Sequence, residues 1–387
     1  MLKTISKLWQ KAVKRLAKTQ LIEQKKLLKK TQKTLLRQTQ LAPKKKLPGR
    51  LSKVAALGHV TARKPESLAA ATAATAASGT GGSWKRAVFN AAATNLLVKP
   101  RNLTYWLFLP TVTHDSKLPL MVMLHGCDQN ATDFATGTRM NALGARHGFA
   151  VLYPQQSVRT HPQRCWPWYK RSLQQGEDEV ALIAGMIDKV ISRGDIDPSR
   201  IYVAGLSAGA ALAQILALRL PDLFAAIGSH SGPVYGIADS RLSAFAVMQQ
   251  GSFDANRPVR QLLDGRPDFP RMPIMILQGL QDKVVRPVNA SQLVQQFCLL
   301  NRLATSGVAP VEHPARGAHD TCTTTDYRHG RSTVVRLCEV EHLVHAWSGG
   351  DPALRYNATA GPDASALLWD FFKRHQRLPA QEFPLRR

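Results

Sequence analysis

The stretch RIYVAGLSAGAALAQILALRLPDLF, residues 200–224, places one serine, Ser207, between two apolar runs. The run before it, IYVAG, predicts a buried strand, and the run after it predicts a helix rich in alanine and leucine. Gly205 and Gly209 flank the serine in the pattern Gly-x-Ser-x-Gly. Because glycine has no side chain, this pattern favours a sharp turn from strand to helix that exposes the serine hydroxyl at the edge of a sheet. Ser207 is therefore a candidate nucleophile.

The segments on both sides of this turn continue the alternation of strands and helices. Strands that are apolar throughout are typical of a parallel sheet covered on both faces, and amphipathic runs between them predict the covering helices. We therefore expect an α/β fold with a mostly parallel sheet between two layers of helices. The predicted strands are TYWLFLP, PLMVMLHG, FAVLYPQ, RIYVAGLS, FAAIGSHSG and MPIMILQG. The predicted helices are MNALGARHG, EVALIAGMIDKVISRG, AALAQILALRLP and ASALLWDFFKRH, and TTTDYRHGRSTVVRLCEVE predicts a hairpin turning at His329 and Gly330.

Charge divides the chain into unlike parts. The 387 residues include 52 Lys or Arg and 26 Asp or Glu, which gives a net charge of +26. Residues 1–64 hold 19 of those cations and a single acid, Glu23, so this segment carries +18. We expect a basic, partly helical extension over residues 1–64, an Ala/Gly/Ser-rich linker over 65–83, and the α/β domain over 84–387.

The basic extension combines its lysines with apolar residues at a loose helical spacing, among them Leu8, Trp9 and Leu16. Such a segment either binds an anionic membrane surface or nucleic acid, or remains a solvated tail. Lysines interrupt the sequence after its basic start, so we expect no secretory signal. No run approaches the length of a membrane-spanning helix, and we expect no transmembrane segment.

Five cysteines are scattered along the chain: Cys127, Cys165, Cys298, Cys322 and Cys338. None forms a C-x-x-C pair, so we expect no metal site. Their odd number in a chain of this length favours reduced thiols and a cytoplasmic protein. The alternative is a bridge between Cys127 and Cys165, or between Cys322 and Cys338 across the predicted hairpin.

A serine hydroxyl becomes a good nucleophile only with a base and a group that orients the base. Asp282 follows the buried strand MPIMILQG, and His345 follows the last strand-like run. This gives the chain order Ser, Asp, His that is expected for a nucleophile at a strand-to-helix turn. His342 is the alternative base, although the loop AWSGG after His345 suits a site better. The alternative acids, which we predict to be solvated surface residues, are Asp254, Asp264 and Asp268.

Attack on a carbonyl creates an oxyanion, which backbone N–H groups usually stabilise. The residue after the nucleophile, Ala208, is the first candidate donor. The second is Cys127, which follows His125 and Gly126 at the end of the predicted strand PLMVMLHG. We therefore predict an oxyanion hole formed by the backbone N–H groups of Cys127 and Ala208.

Three tryptophans are candidate substrate-binding residues. Trp166 and Trp168 alternate along the extended segment RCWPWY, and Trp347 lies two residues after His345. They line an apolar groove for the acyl chain, or they pack structurally.

Several motifs together resemble the poly(3-hydroxybutyrate) depolymerase family of esterases, which has the α/β-hydrolase fold. They are MLHGCDQNATDFATGTRMNALGARHGFAVLYPQQS, RCWPWY, DIDPSRIYVAGLSAGAALA, PDLFAAIGSHSG and HAWSGG. The similarity runs from about Trp84 to His375. It implies Ser207 as nucleophile, Asp282 as acid and His345 as base, acting through an acyl-enzyme without a cofactor.

The family also includes feruloyl and acetylxylan esterases, so the resemblance defines the reaction better than the substrate. The expected substrate is poly(3-hydroxybutyrate) or a related hydroxyalkanoate ester, and the alternative is a carbohydrate-linked or aryl ester. Without an export signal, the polymer is expected to be the cell's own storage granule or its soluble oligomers. An alternative of another class is a protein that binds a granule or nucleic acid through its basic extension.

Overall fold

The computed structural model describes residues 81–91, 101–111, 117–303, 311–313 and 322–377. The predicted extension over 1–64 lies outside the described residues, as does the linker up to residue 80, and both stay predictions. In the described ranges no helix is long and apolar enough to cross a membrane. The first strand begins at Gly82, two residues before the predicted start of the domain.

Strands and helices alternate along the described chain, as expected. The strands are β1 (Gly82–Asn90), β2 (Asn102–Pro110), β3 (Leu118–Leu124), β4 (Ala150–Gln155), β5 (Ile196–Leu206), β6 (Ala226–His230), β7 (Ile274–Gly279), β8 (Val311–His313), β9 (Cys322–His329), β10 (Ser332–Val340), β11 (Trp347–Ser348) and β12 (Asn357–Ala358). The helices are α1 (Ala131–Thr138), α2 (Met140–His147), α3 (Arg171–Gln174), α4 (Glu179–Ile191), α5 (Ala208–Arg219), α6 (Arg241–Gln250), α7 (Arg257–Gly265), α8 (Val288–Leu300) and α9 (Ala364–Phe372).

Ten strands form one sheet in the order β1-β2-β4-β3-β5-β6-β7-β10-β9-β8. The six central strands, from β4 to β10, are parallel, whereas β1 and β2 at one edge and β9 and β8 at the other pair antiparallel. The α/β expectation is confirmed. The parallel arrangement brings the carboxyl ends of β3, β5, β7 and β10 to one edge, where sites of such sheets lie.

Each face of the sheet has its own apolar core, because successive side chains of a strand point to opposite faces. Along β3, Leu120 and Val122 belong to one core, and Met121 and Met123 belong to the other. Helices α4, α5 and α8 contribute to the first core, and α1, α2 and α9 contribute to the second. The strands are apolar throughout because helices cover them on both faces.

The hairpin prediction is confirmed, since β9 ends at His329 and β10 begins at Ser332. Several elements were not predicted from the sequence, among them the edge strand β1 and helices α1, α6, α7 and α8. In α6 the residues Leu242 and Phe245 are exposed, so its sequence lacks a clear apolar stripe. This helix nevertheless becomes important at the candidate site.

Candidate active site

Ser207 stands at the turn between β5 and α5, with φ 58° and ψ −119°. A positive φ is unfavourable for a residue with a side chain and is found where the surrounding structure enforces it. Here the Ser207 N–H donates a 2.9 Å hydrogen bond to the carbonyl of His230, at the end of the neighbouring strand β6. The turn is therefore fixed from the adjacent strand.

The two glycines of the pattern are required by close packing against backbone. A Cβ at Gly209 would lie 2.6 Å from the carbonyl oxygen of His125, and one at Gly205 would lie 2.7 Å from that of Leu124. Both distances are shorter than real Cβ contacts allow. Helix α5 thus starts directly against the end of β3, which brings the β3 loop to Ser207.

Asp282 and His345 meet as predicted, three residues after β7 and five residues after β10. The His345 Nδ1 lies 2.7 Å from Asp282 Oδ2. A carboxylate only accepts hydrogen bonds, so this contact places the imidazole proton on Nδ1 and leaves the lone pair on Nε2. The other carboxylate oxygen accepts the N–H groups of Val284 and Val285, at 2.8 and 2.9 Å.

These contacts hold the Asp282 carboxylate in its ionised form. Burial would raise the pKa of Asp282, but the hydrogen bond and charge of His345 and the N–H groups of Val284 and Val285 lower that pKa below its ordinary value. The two loops are also joined to each other, because the Gln281 N–H donates to the carbonyl of Leu343 at 3.1 Å. The acid and the base therefore keep their relative position through the backbone.

The loop after β3 lies against the turn at Ser207, as the oxyanion-hole prediction requires. A Cβ at Gly126 would lie 3.7 Å from the Ser207 Cβ. The amide of Gly126 donates to Gln129 Oε1 at 2.8 Å, and that of Asp128 donates to the carbonyl of Gln163 at 2.6 Å. The Cys127 amide between them remains the candidate donor of this loop. Ala208 is the first residue of α5, so its N–H is not used within the helix.

The expectation of free thiols at Cys127 and Cys165 is wrong, because the two form a disulfide. The loop after β3 and the RCWPWY loop meet at a Cα separation of 4.3 Å, which the spacing in the sequence does not reveal. A second disulfide joins Cys322 of β9 to Cys338 of β10, again against expectation. Only the buried Cys298 is free among the described cysteines. Disulfides are typical of oxidising compartments, so the argument from reduced thiols for a cytoplasmic location no longer holds.

A cavity of about 430 Å³ opens above Ser207. Its size lies within the range of small-molecule sites. Ser207 and His345 line it together with both candidate oxyanion residues, Cys127 and Ala208. The cavity thus collects the predicted catalytic residues, while Asp282 lies behind His345 and is 2% exposed.

Two of the three predicted substrate-binding tryptophans line this cavity. Trp166 and Trp168 form part of its wall, and the Trp166 indole N–H donates to the carbonyl of His125 at 2.9 Å. Trp347 does not line it, so the prediction for this residue is wrong. Its ring is buried beneath the cavity, stacks on His230 with centroids 5.0 Å apart, and donates its N–H to Ser365 Oγ.

We call the buried backbone around the turn the catalytic floor, which consists of Gly205–Gly209 with Leu124, His125 and His230. Two histidines of the floor act as acceptors: His230 Nε2 accepts from the Ser348 N–H, and His125 Nε2 accepts from the Gln156 N–H, both at 3.1 Å. Burial lowers the pKa of His230 to about 3 and that of His125 to about 4. Both are therefore neutral near pH 7. The sequence analysis predicted no role for either residue.

The rest of the cavity lining includes residues to which the sequence analysis gave no role. We call this part of the lining the cavity mouth and define it by His161, Tyr169, Arg241, Phe245, Met248, Val284 and Tyr356. Three of these residues belong to α6, which begins at an N-cap formed by Ser240. Ser240 and Ser243 form a capping box, and a serine at the N-cap is a weak sequence signal for the start of a helix.

The alternative residues lie elsewhere. His342 is exposed, and its side chain is near Glu341 and Gln281 rather than in the cavity lining. Asp254 forms an ion pair with Arg260. Asp268 is exposed near Arg266, and Asp264 is an exposed residue of α7. In the ranges that the structure describes, no group of three His, Cys, Asp or Glu side chains is arranged to hold a metal ion.

Curated relatives of this chain are depolymerases and esterases. Poly(3-hydroxyalkanoate) depolymerase C of Paucimonas lemoignei is 35% identical over 208 residues, which are 52% of this chain and 50% of the relative. Poly(3-hydroxybutyrate) depolymerase of Ralstonia pickettii is 30% identical over 36% of this chain and 31% of its own length. Feruloyl esterase B of Thermothelomyces thermophilus is 29% identical over 51% of this chain and 70% of its own length. The chain thus spans half or less of the depolymerases that it matches.

Among solved structures, acetyl xylan esterase from Aspergillus awamori superposes with a TM-score of 0.58 at 18% identity, covering 74% of this chain and 99% of that protein. At this identity the match supports the fold alone, an α/β-hydrolase fold. The sequence profile described as "Esterase PHB depolymerase" matches residues 103–316, more than half of the chain. The profile contains Ser207 and Asp282, and the strand that leads to His345 follows it. The chain therefore belongs to the PHB depolymerase family of esterases.

Proposed function

We propose that this protein is a serine hydrolase that cleaves carboxylic esters of hydroxyalkanoates through an acyl-enzyme. The observation that carries the proposal is the meeting of three residues from three loops at one cavity. Ser207 and His345 line the cavity, and His345 is bonded to Asp282 at 2.7 Å. The family to which the chain belongs supports the same reaction.

In the proposed reaction the Ser207 hydroxyl attacks the ester carbonyl while His345 Nε2 takes its proton. Asp282 keeps the imidazole in the tautomer with the proton on Nδ1 and stabilises the imidazolium that forms. His345 then gives the proton to the departing alcohol. A water molecule, activated by His345 in the same way, releases the acid from Ser207.

The oxyanion of each tetrahedral intermediate would be held by the N–H groups of Cys127 and Ala208. The positions of these residues in the cavity lining support the assignment. One such donor is worth roughly 10²-fold to 10³-fold in rate. Because the Cys127 role uses the backbone, its disulfide to Cys165 would act by fixing the loop rather than by taking part in the reaction.

The hydroxyalkanoate substrate rests on the depolymerase relatives and on the apolar part of the cavity lining, including Trp168, Phe245 and Met248. The alternative is a feruloyl or acetylated carbohydrate ester, which the feruloyl esterase relative supports. An assay on amorphous poly(3-hydroxybutyrate), 3-hydroxybutyrate oligomers and methyl ferulate tests the two directly. We expect the oligomers to give the highest kcat/KM. A higher kcat/KM on methyl ferulate would favour the alternative.

The role of residues 1–64 is a separate proposal, based on their charge of +18. We propose that they hold the protein on an anionic surface, with a polyester granule first and an anionic membrane or nucleic acid as the alternatives. Deleting residues 1–80 should leave turnover of soluble esters unchanged and reduce co-sedimentation with granules at low salt. Equal co-sedimentation of both proteins would contradict this.

A cytoplasmic location stays a prediction, and the two disulfides favour an oxidising compartment instead.

A further inference from the structure

The cavity mouth carries a cation that the proposed reaction does not use. Arg241, the first residue of α6, lines the same cavity as Ser207. Its Nε donates a 3.0 Å hydrogen bond to the hydroxyl of Tyr169, another residue of the mouth. Within the described part of the chain no acid forms an ion pair with Arg241. Arg241 is also exposed, so its charge is accessible at the cavity.

Three charged side chains act on His161, and two of them are cations. Two cations, Arg241 and Lys170, act on His161, while one carboxylate, Asp128, acts in the opposite sense. Asp128 is the one acid among the described residues of the cavity lining. An anionic group that enters the mouth therefore meets a net attraction on the side of Arg241.

The rest of the lining is suited to a neutral, mainly apolar chain. Trp168, Phe245, Met248 and Val284 present carbon surface to the cavity. Specificity in such sites comes from a few well-placed polar groups. A guanidinium fits this purpose for a carboxylate, because its planar fork matches the two oxygens.

We propose that Arg241, oriented by Tyr169, forms a subsite for the free carboxylate of a hydroxyalkanoate oligomer. This proposal rests on the proposed function and makes it more specific. It makes carboxylate-terminated oligomers the preferred substrates over uncharged esters and over the interior of a polymer chain.

The structure of the oligomer determines which of the two products this subsite would hold. In a hydroxyalkanoate oligomer each ester joins the acyl carbon of one unit to the hydroxyl oxygen of the next, and the free carboxylate lies at the end of the alcohol side. When Ser207 attacks the acyl carbon, the bond to that oxygen breaks and the oxygen leaves with the proton from His345. Arg241 would thus hold the departing hydroxy acid, and short hydroxy acids would be released stepwise from the carboxyl end.

The test uses the full-length protein and two substrates that differ only at the terminal carboxyl group: the trimer of 3-hydroxybutyrate as its free acid, and the same trimer as its terminal methyl ester. Cleavage between units is followed by chromatography at low salt, where charge effects are least screened. We expect wild-type kcat/KM to be about tenfold higher for the free acid, since a hydrogen-bonded charge pair contributes at least that much. Arg241→Gln should bring the ratio close to one, and Arg241→Lys should give an intermediate ratio because it keeps the charge without the fork.

The matched control is Arg257→Gln, an exposed arginine at the start of the next helix that does not line the cavity. Its ratio should equal that of the wild type. Equal kcat/KM of the wild type on the two trimers, an unchanged ratio in Arg241→Gln, or an equal loss of ratio in Arg257→Gln would each overturn the subsite. Failure to cleave either trimer, by a preparation active on p-nitrophenyl acetate, would overturn the proposed substrate and the subsite with it.

Discussion

The catalytic floor and the cavity mouth are built on different principles, although residues of both line one cavity. In the floor, backbone packs against backbone: Gly205 and Gly209 leave no space for a Cβ, and the Ser207 N–H is bonded to the neighbouring strand. The mouth is instead lined by side chains, and one of them, Phe245, is 60% exposed. The floor is suited to one chemistry at fixed geometry, whereas the mouth determines which esters reach it. Changes in the floor should therefore abolish activity, and changes in the mouth should alter selectivity.

The largest expected effect lies in the triad. Ser207→Ala and His345→Ala should each lower kcat by roughly 10⁴-fold or more, and the double variant should lose little beyond that because the residues act as a unit. Steady-state kinetics on a p-nitrophenyl ester measure this. The matched control is His342→Ala, an exposed histidine three residues away. If His342→Ala is damaging and His345→Ala is mild, the assignment of the base is wrong.

The next effect concerns the glycines of the floor. Gly209→Ala places a Cβ 2.6 Å from the carbonyl oxygen of His125, so the start of α5 must move away from β3. We expect the free energy of unfolding to fall by about 3 kcal/mol, and activity to be lost with it. Urea denaturation measures the change. Gly265→Ala, where no atom lies within 4 Å of the added Cβ, should leave both properties nearly unchanged. Equal effects of the two substitutions would contradict the tight packing of the floor.

The neutral histidines of the floor predict a pH dependence of stability. Burial lowers the pKa of His125 to about 4 and that of His230 to about 3, whereas the unfolded value is about 6.5. Below pH 6.5 the unfolded chain therefore binds more protons than the folded one, and stability falls as the pH falls. Each histidine contributes up to about 1.4 kcal/mol per pH unit between its two pKa values.

Urea unfolding of the wild type and of His230→Gln at pH 7, 6 and 5 tests this dependence. The variant should lose stability less steeply between pH 6 and 5, because one of the histidines whose pKa is lowered by burial is gone. An identical slope for the two proteins would show that His230 takes up a proton in the folded state.

The smallest effect is expected at the mouth. Phe245→Ala removes a half-exposed ring from the lining and should raise KM for p-nitrophenyl hexanoate roughly fivefold, with kcat and stability little changed, because only a modest apolar area is involved. Phe253→Ala is the control, since this ring is fully exposed and lies outside the lining. A larger loss in kcat than in affinity for Phe245→Ala would mean that the mouth also fixes the geometry of the reaction.

The difference between the floor and the mouth explains which parts of the site could be predicted from the sequence. Ser207, Asp282 and His345 were predicted correctly to converge, because each follows a parallel strand whose carboxyl end must lie at one edge of the sheet. The disulfide between Cys127 and Cys165 was only the alternative to free thiols, because two loops of irregular backbone meet there and no periodicity describes their path. Trp347 was misassigned for a related reason, since its proximity to His345 in sequence does not determine which side of the loop its ring occupies. Arg241 and Phe245 were missed because α6 carries exposed apolar residues and so lacks a regular pattern.

Trapping the acyl-enzyme would show whether Ser207 is the nucleophile of an ester hydrolase. The protein is mixed with p-nitrophenyl 3-hydroxybutyrate, quenched in acid within milliseconds, digested and analysed by mass spectrometry. We expect one 3-hydroxybutyryl group on the peptide that contains Ser207, formed at the rate of the p-nitrophenol burst and absent in Ser207→Ala. Ester turnover without an adduct on Ser207, or an adduct on another residue that forms at the rate of turnover, would contradict it.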